Sequence, residues 1–184
     1  MVVRIDDVNA NTDFTDLYAQ IELLSDFFDE IILGVNLISR SSNNGAVYPD
    51  LPLRNQIPTY FYDVDRTIDY ECLESLSSFP KVSIVSHGLI HTKHGELSAD
   101  AIAMSILTSC ALLGTKRFIP PFNNTSFVVK NICEGNGIEL IGNNETTIWH
   151  SLETDKFNPL YQTWYYHPWR VTAEELSQKL GVNV

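Results

Sequence analysis

Apolar residues recur at two different periods along this chain, and the periods take turns. Residues 2–5 are a short β-branched apolar run, the pattern of a buried strand. Asn11, Thr12 and Asp13 then offer helix-start side chains, and Phe14, Leu17, Ile21, Leu24 and Phe28 follow at spacings of three and four. That spacing predicts an amphipathic helix over residues 14–29. Residues 31–35 return to strand, with Gly34 inside. Residues 39–58 carry Ser, Asn, Gly and Pro without periodicity and read as a long loop, a kind of segment often tied to function.

The alternation continues to the end. Strands are predicted over 58–62, 81–86, 116–119, 138–141, 147–149 and 163–166. Helices are predicted over 70–78, 98–113 and 124–134. Ser98 is placed to cap the second of these, Gly114 follows it, and Ile102, Ile106, Cys110 and Leu113 form its apolar stripe. Thr172 opens a last short helix, with Glu175 in capping-box position. Strands alternating with helices imply a parallel sheet. About seven such units favour an α/β fold in the form of a distorted (β/α) barrel, with residues 1–184 as a single domain and no linker or repeat.

Composition narrows the function classes. The formal net charge is -11, from 23 acidic and 12 basic residues. Such a field repels phosphate backbones and anionic lipid heads, so neither nucleic acid nor a membrane surface is the expected partner. No apolar run approaches the length of a membrane span, and the N-terminus shows no leader-like pattern. Cys72, Cys110 and Cys133 are odd in number and widely spaced, which suggests buried thiols in a reducing compartment rather than disulfides. The expectation is a cytoplasmic protein, in which the sequons at Asn123 and Asn144 carry no glycan.

The reactive side chains fall just past predicted strand ends. Asp6 and Asp7 follow VVRI, and His87 follows KVSIVS. Pro120-Pro121-Phe122-Asn123 follows RFI, and His167 follows TWYY. Parallel β/α barrels assemble their sites at that rim. His87 and His91, four residues apart, have the spacing of two imidazoles sharing a metal ion. A carboxylate is expected as third ligand, and Asp7 is the candidate. Neighbouring side chains on a strand point to opposite faces, so Asp6 and Asp7 can share the rim only if the backbone turns between them. One could then bind metal while the other accepts a proton; the other reading is a solvated turn or an N-cap pair.

These motifs, in this order, resemble the polysaccharide deacetylase (NodB-homology, carbohydrate esterase family 4) family. Ile5-Asp6-Asp7 matches its first motif and Ser86 to His91 its histidine pair. Phe118 to Asn123 matches its Pro-Pro-aromatic segment and His167 its C-terminal histidine. The resemblance implies Asp6 as general base and Asp7, His87 and His91 as ligands of a divalent metal, zinc foremost. It implies the Phe122 backbone N–H as an oxyanion donor and His167 as general acid. Pro121, Asn123 and Trp164 are the residues expected at the substrate, an N-acetylated sugar or glycan precursor. The small size is similar to cytoplasmic deacetylase-like proteins of O-antigen or other surface-glycan synthesis.

The pattern also departs from the family's. Ile119 stands where an arginine usually pairs with the catalytic aspartate, Thr92 replaces a proline, and Phe122 replaces a common tyrosine. Arg4, Arg117 and Arg170 are the candidates to take over the missing pairing. A catalytically silent glycan- or metal-binding module on the same fold is the alternative the Ile119 departure motivates. An iron oxygenase with two histidines and one carboxylate is disfavoured, because no His-x-Asp tripeptide occurs and the β/α order is wrong for it.

Overall fold

The computed structural model describes residues 1–39, 66–91, 97–142 and 147–182. The strand expected over 58–62, most of the 39–58 loop, Thr92 and the Asn144 sequon lie outside the described residues.

The first strand, β1 (Val2–Val8), pairs in parallel with β2 (Glu30–Val35) on one side and β9 (Thr163–Tyr166) on the other. Outward from β2 come β5 (Val82–Ser86), β6 (Arg117–Phe118) and β7 (Glu139–Leu140); outward from β9 comes β8 (His150–Ser151). The seven strands run in the order β7-β6-β5-β2-β1-β9-β8, and every pairing is parallel. A separate antiparallel pair, β3 (Ile38–Ser39) and β4 (Arg66–Thr67), closes the base of the long connection after β2. The last expected strand but one sits later than its apolar run suggested, at 150–151 rather than 147–149.

The sheet curls. Leu140 and Ile141 at one edge line the same small cavity as Thr147, Trp149 and Thr163 near the other edge. Inside the curl, Ile32, Val85, Ile119, Ile141 and Trp149 form one buried cluster. The outer face carries the larger core, where Val3, Ile5, Ile31, Leu33, Trp164 and Tyr166 meet the helices. Those are α1 (Phe14–Leu24), α2 (Tyr70–Ser77), α3 (Ala99–Leu112), α4 (Phe127–Gly135) and α5 (Ala173–Leu180).

Helix ends follow the side-chain chemistry. Asp13 caps α1, Ser98 caps α3, and Thr172 with Glu175 makes the reciprocal capping box of α5. Helix α1 stops at Leu24, five residues short of the expected span, but Phe28 still docks its ring in the core. Cys110 and Cys133 are buried and Cys72 is half-buried; all three are free. Among the described residues no helix is long and apolar enough to cross a membrane.

Candidate metal centre and catalytic pocket

The strand β1 continues through both aspartates, and it is irregular there. Its register against β2 shifts between Ile5 and Val8, and Asp7 adopts φ 63°. A left-handed residue inside a strand is a bulge. It breaks the alternation of side chains, so Asp6 and Asp7 both reach the C-terminal rim. Asp tolerates this region better than most residues. Asn9 Nδ2 donates to the Asp7 carbonyl at 2.7 Å and holds the bulge.

The histidines are placed by the strand ends on either side of β5. The His87 N–H donates to the Val35 carbonyl and the Ile119 N–H to the Ser86 carbonyl, each at 2.8 Å. Asn36 Nδ2 donates to the His87 carbonyl at 2.7 Å. Gly88 then turns the chain with φ 96°, and Leu89 N–H donates to Ser105 Oγ at 3.2 Å, which brings His91 back beside His87.

Three ligand atoms converge. Asp7 Oδ1 lies 3.1 Å from His87 Nε2 and 3.0 Å from His91 Nε2. One donor atom from each of Asp7, His87 and His91 falls within 4.8 Å of the others, and all three residues are buried. Both Asp7 oxygens lack a hydrogen-bond partner among the described residues. Buried carboxylate oxygens without donors are costly unless something else satisfies them, and a divalent cation would. The His87 Nδ1–H donates to the Ile119 carbonyl at 2.8 Å, which leaves the Nε2 lone pair for a ligand. Burial pushes Asp7 up, but the His91, His87 and His167 imidazoles outweigh it and hold the carboxyl at about 2. Burial presses His91 down to about 4, against the pull of Asp7, so its ring is neutral at pH 7. An ionised carboxylate and a neutral imidazole are the protonation states that bind a metal. The residues fit a divalent ion.

Around this cluster is a cavity of about 340 Å³, lined by Asp6, His87, His91, Phe122, Asn123, Tyr165, His167, Trp169 and Arg170. Asp6 is 4% exposed. Its Oδ2 pairs with Arg4 Nη2 at 2.8 Å, and its Oδ1 has no hydrogen-bond partner among the described residues. His167 projects from the end of β9, its Nε2 3.7 Å from Asp7 Oδ2. Its Nδ1–H donates to Glu153 Oε1 at 2.5 Å, and its backbone N–H donates to the same oxygen at 2.8 Å. Burial lowers the His167 pKa, but Glu153 and the two aspartates more than reverse that, so its pKa is raised. Arg170 donates to Glu153 Oε2 at 3.3 Å and lies over the Trp169 ring at 4.5 Å.

The segment after β6 turns sharply. Phe122 and Asn123 have φ 58° and 52°, and the Asn123 N–H donates to the Pro120 carbonyl at 2.9 Å. The turn carries Phe122 against His91, with ring centroids 4.5 Å apart.

Asp6, Asp7, His87, His91, Phe122, Asn123 and His167 therefore gather at one site. Two residues expected at the sugar do not line the cavity. Trp164 is fully buried among Phe157, His150 and Tyr161 on the outer face of β9. Strand alternation gives the cavity Tyr165 instead. Pro121 is buried, with its ring beside Gly88. No motif spacing links Glu153 to His167, so the sequence carries no signal for this contact. Of the three candidate arginines Arg4 reaches Asp6, while Arg117 pairs with Glu30 and Glu139 and Arg170 with Glu153.

Neither a family model nor a curated protein sequence matches the chain. Solved structures do. A CE4 family pseudoenzyme from Bacillus anthracis superposes with a TM-score of 0.59 at 14% identity, over 98% of this chain and 59% of that one. A family 4 carbohydrate esterase from Streptomyces lividans, in complex with acetate, superposes with a TM-score of 0.56 at 11% identity, over 98% of this chain and 86% of that one. The chain thus spans less than two thirds of the first of these. At such identities the likeness establishes the fold, which is that of the polysaccharide deacetylases.

Proposed function

We propose that this chain is a divalent-metal-dependent hydrolase that removes an acetyl or similar acyl group from an N-acylated sugar. The observation that carries the reading is the convergence of Asp7, His87 and His91 on one point, with Asp6 and His167 lining the same cavity. Asp7, His87 and His91 would hold the ion, with zinc the first candidate for this donor set. When bound, such an ion supplies Lewis acidity to an acyl carbonyl and acidity to a water molecule. Asp6 receives the proton of the attacking water on Oδ1, while Oδ2 stays with Arg4. His167 delivers a proton to the departing amine, because an amide anion is too basic to leave unprotonated. Glu153 holds the ring by Nδ1 and favours the imidazolium that this step needs. Phe122 lines the pocket, and its backbone N–H would stabilise the developing oxyanion. Tyr165, Trp169 and Phe122 give the sugar apolar surface to pack on.

The fold likeness to a carbohydrate esterase supports a sugar-type substrate. Residues 1–184 would act as one catalytic unit in the cytoplasm on precursors of a surface glycan such as O-antigen. The test is acetate release from N-acetylated sugars by metal-loaded protein, abolished by chelation and regained on adding zinc. A second reading is a silent glycan- or metal-binding module, favoured by the pseudoenzyme neighbour and by Ile119 in the arginine position. That reading expects metal or sugar binding with no acetate released from any substrate.

A further inference from the structure

Arg4 is a fully buried cation in a chain of net charge -11, and it sits inside the curled sheet rather than at a surface. Residues 4 and 6 of a strand share a face, and here that face points inward. The guanidinium lies 4.8 Å from the Trp149 ring and 5.5 Å from the Tyr165 ring, so aromatic walls fix its plane. Among the described residues its polar contacts are two. Nη2 meets Asp6 Oδ2 at 2.8 Å and Asn123 Oδ1 at 2.9 Å. Nε and Nη1 have no hydrogen-bond partner among the described residues. A single nitrogen thus joins the end of β1 to the turn after β6. That turn needs holding, because Phe122 and Asn123 are consecutive non-glycine residues in the left-handed region.

Resting on the hydrolase reading for the role of Asp6, we propose that Arg4 is a dual positioning residue. It fixes the carboxylate of the base, and it clamps the strained 122–123 turn through Asn123. Ile119 packs on the same inward face. A methyl at residue 34 would lie 3.1 Å from Ile119 Cδ1 and 3.2 Å from Asp6 Oδ1, so residue 119 and the base are near neighbours. A guanidinium carried at 119 can therefore approach Asp6, but Asn123 keeps its partner only while Arg4 is present. The two tasks are separable.

The experiment compares zinc-loaded wild type, Arg4→Met, Arg4→Lys and Arg4→Met/Ile119→Arg. Two readouts are used: amide exchange at Asn123 and Asn124, and acetate release from N-acetylated chitooligosaccharides. In Arg4→Met the two turn amides should exchange about tenfold faster or more while the β1 amides keep their protection. Its kcat should fall on the order of 100-fold with KM and zinc affinity little changed. Arg4→Lys, with one compact ammonium in place of the fork, should recover part of both. Arg4→Met/Ile119→Arg should recover kcat while the turn amides stay fast. Unchanged turn exchange in folded Arg4→Met overturns the clamp, and unchanged kcat overturns the hold on the base. A wild type that releases no acetate counts against the hydrolase reading and the hold on Asp6, while the exchange data still decide the clamp.

Discussion

Asp6 and Asp7 are adjacent on one strand yet face the same rim, because the backbone between them enters the left-handed region at Asp7, φ 63°. A plain strand would send one carboxylate to the outer core. The bulge also makes a clean test possible. Asn tolerates the left-handed conformation and removes the charge, so Asp7→Asn keeps the backbone while stripping the ligand. We predict that Asp7→Asn folds as wild type and loses zinc affinity by at least about tenfold, read by calorimetric titration. Retained affinity would remove Asp7 from the metal centre.

Glu153 holds His167 through Nδ1 and raises its pKa. Glu153→Gln keeps a hydrogen-bonding side chain but takes away the charge, so the imidazolium is less favoured. The alkaline limb of the kcat/KM profile should move to lower pH, and activity at pH 7 should drop roughly 10- to 100-fold. An unshifted limb would mean that His167 is not the acid that limits the reaction.

Gly34 packs against Asp6. A Cβ there would press on Ile119 Cδ1 at 3.1 Å and Asp6 Oδ1 at 3.2 Å. Gly34→Ala is expected to cost about 1–3 kcal/mol in denaturant unfolding, as overpacking does, and to lower kcat by displacing Asp6. Wild-type stability together with wild-type kcat would show that Asp6 has room to move.

The metal-free protein should be acid-labile through His91. Burial lowers its folded pKa to about 4 from an ordinary 6.5. Between those values the unfolded chain binds a proton that the folded chain does not, so stability is full above pH 6.5 and falls as pH drops towards 4. The loss is roughly 3 kcal/mol at 1.36 kcal/mol per pKa unit. His167, whose pKa is raised, works in the opposite sense, contributing stability that is lost as pH rises through its folded value. Urea midpoints of wild type and His91→Gln, both metal-free, should converge as pH falls from 6.5 to 4.5. Parallel profiles would contradict the buried neutral ring.

The β/α alternation, the two aspartates, the HxxxH pair and His167 were legible because each rests on local order: an apolar run followed by a reactive side chain. Strand parity also sorts the aromatic residues of β9. Once His167 faces the site, alternation along 163–167 assigns Tyr165 to the cavity and Trp164 to the core, which is where they lie. The same parity selects Arg4 over Arg117 and Arg170 as the partner of Asp6. Glu153 was not legible, since its contact with His167 depends on how the turn after β8 folds back, and no period records that. An Asp-Asp pair implies that the backbone must turn for both carboxylates to share a rim, but does not reveal which residue takes the positive φ.

The most direct measurement is the anomalous diffraction signal at the zinc edge from crystals grown with zinc. One strong peak is expected at the rim of β1 and β5, with Asp7 oxygen and the His87 and His91 Nε2 atoms each about 2.0–2.2 Å away. A peak elsewhere, or none between those three side chains at saturating zinc, would contradict it.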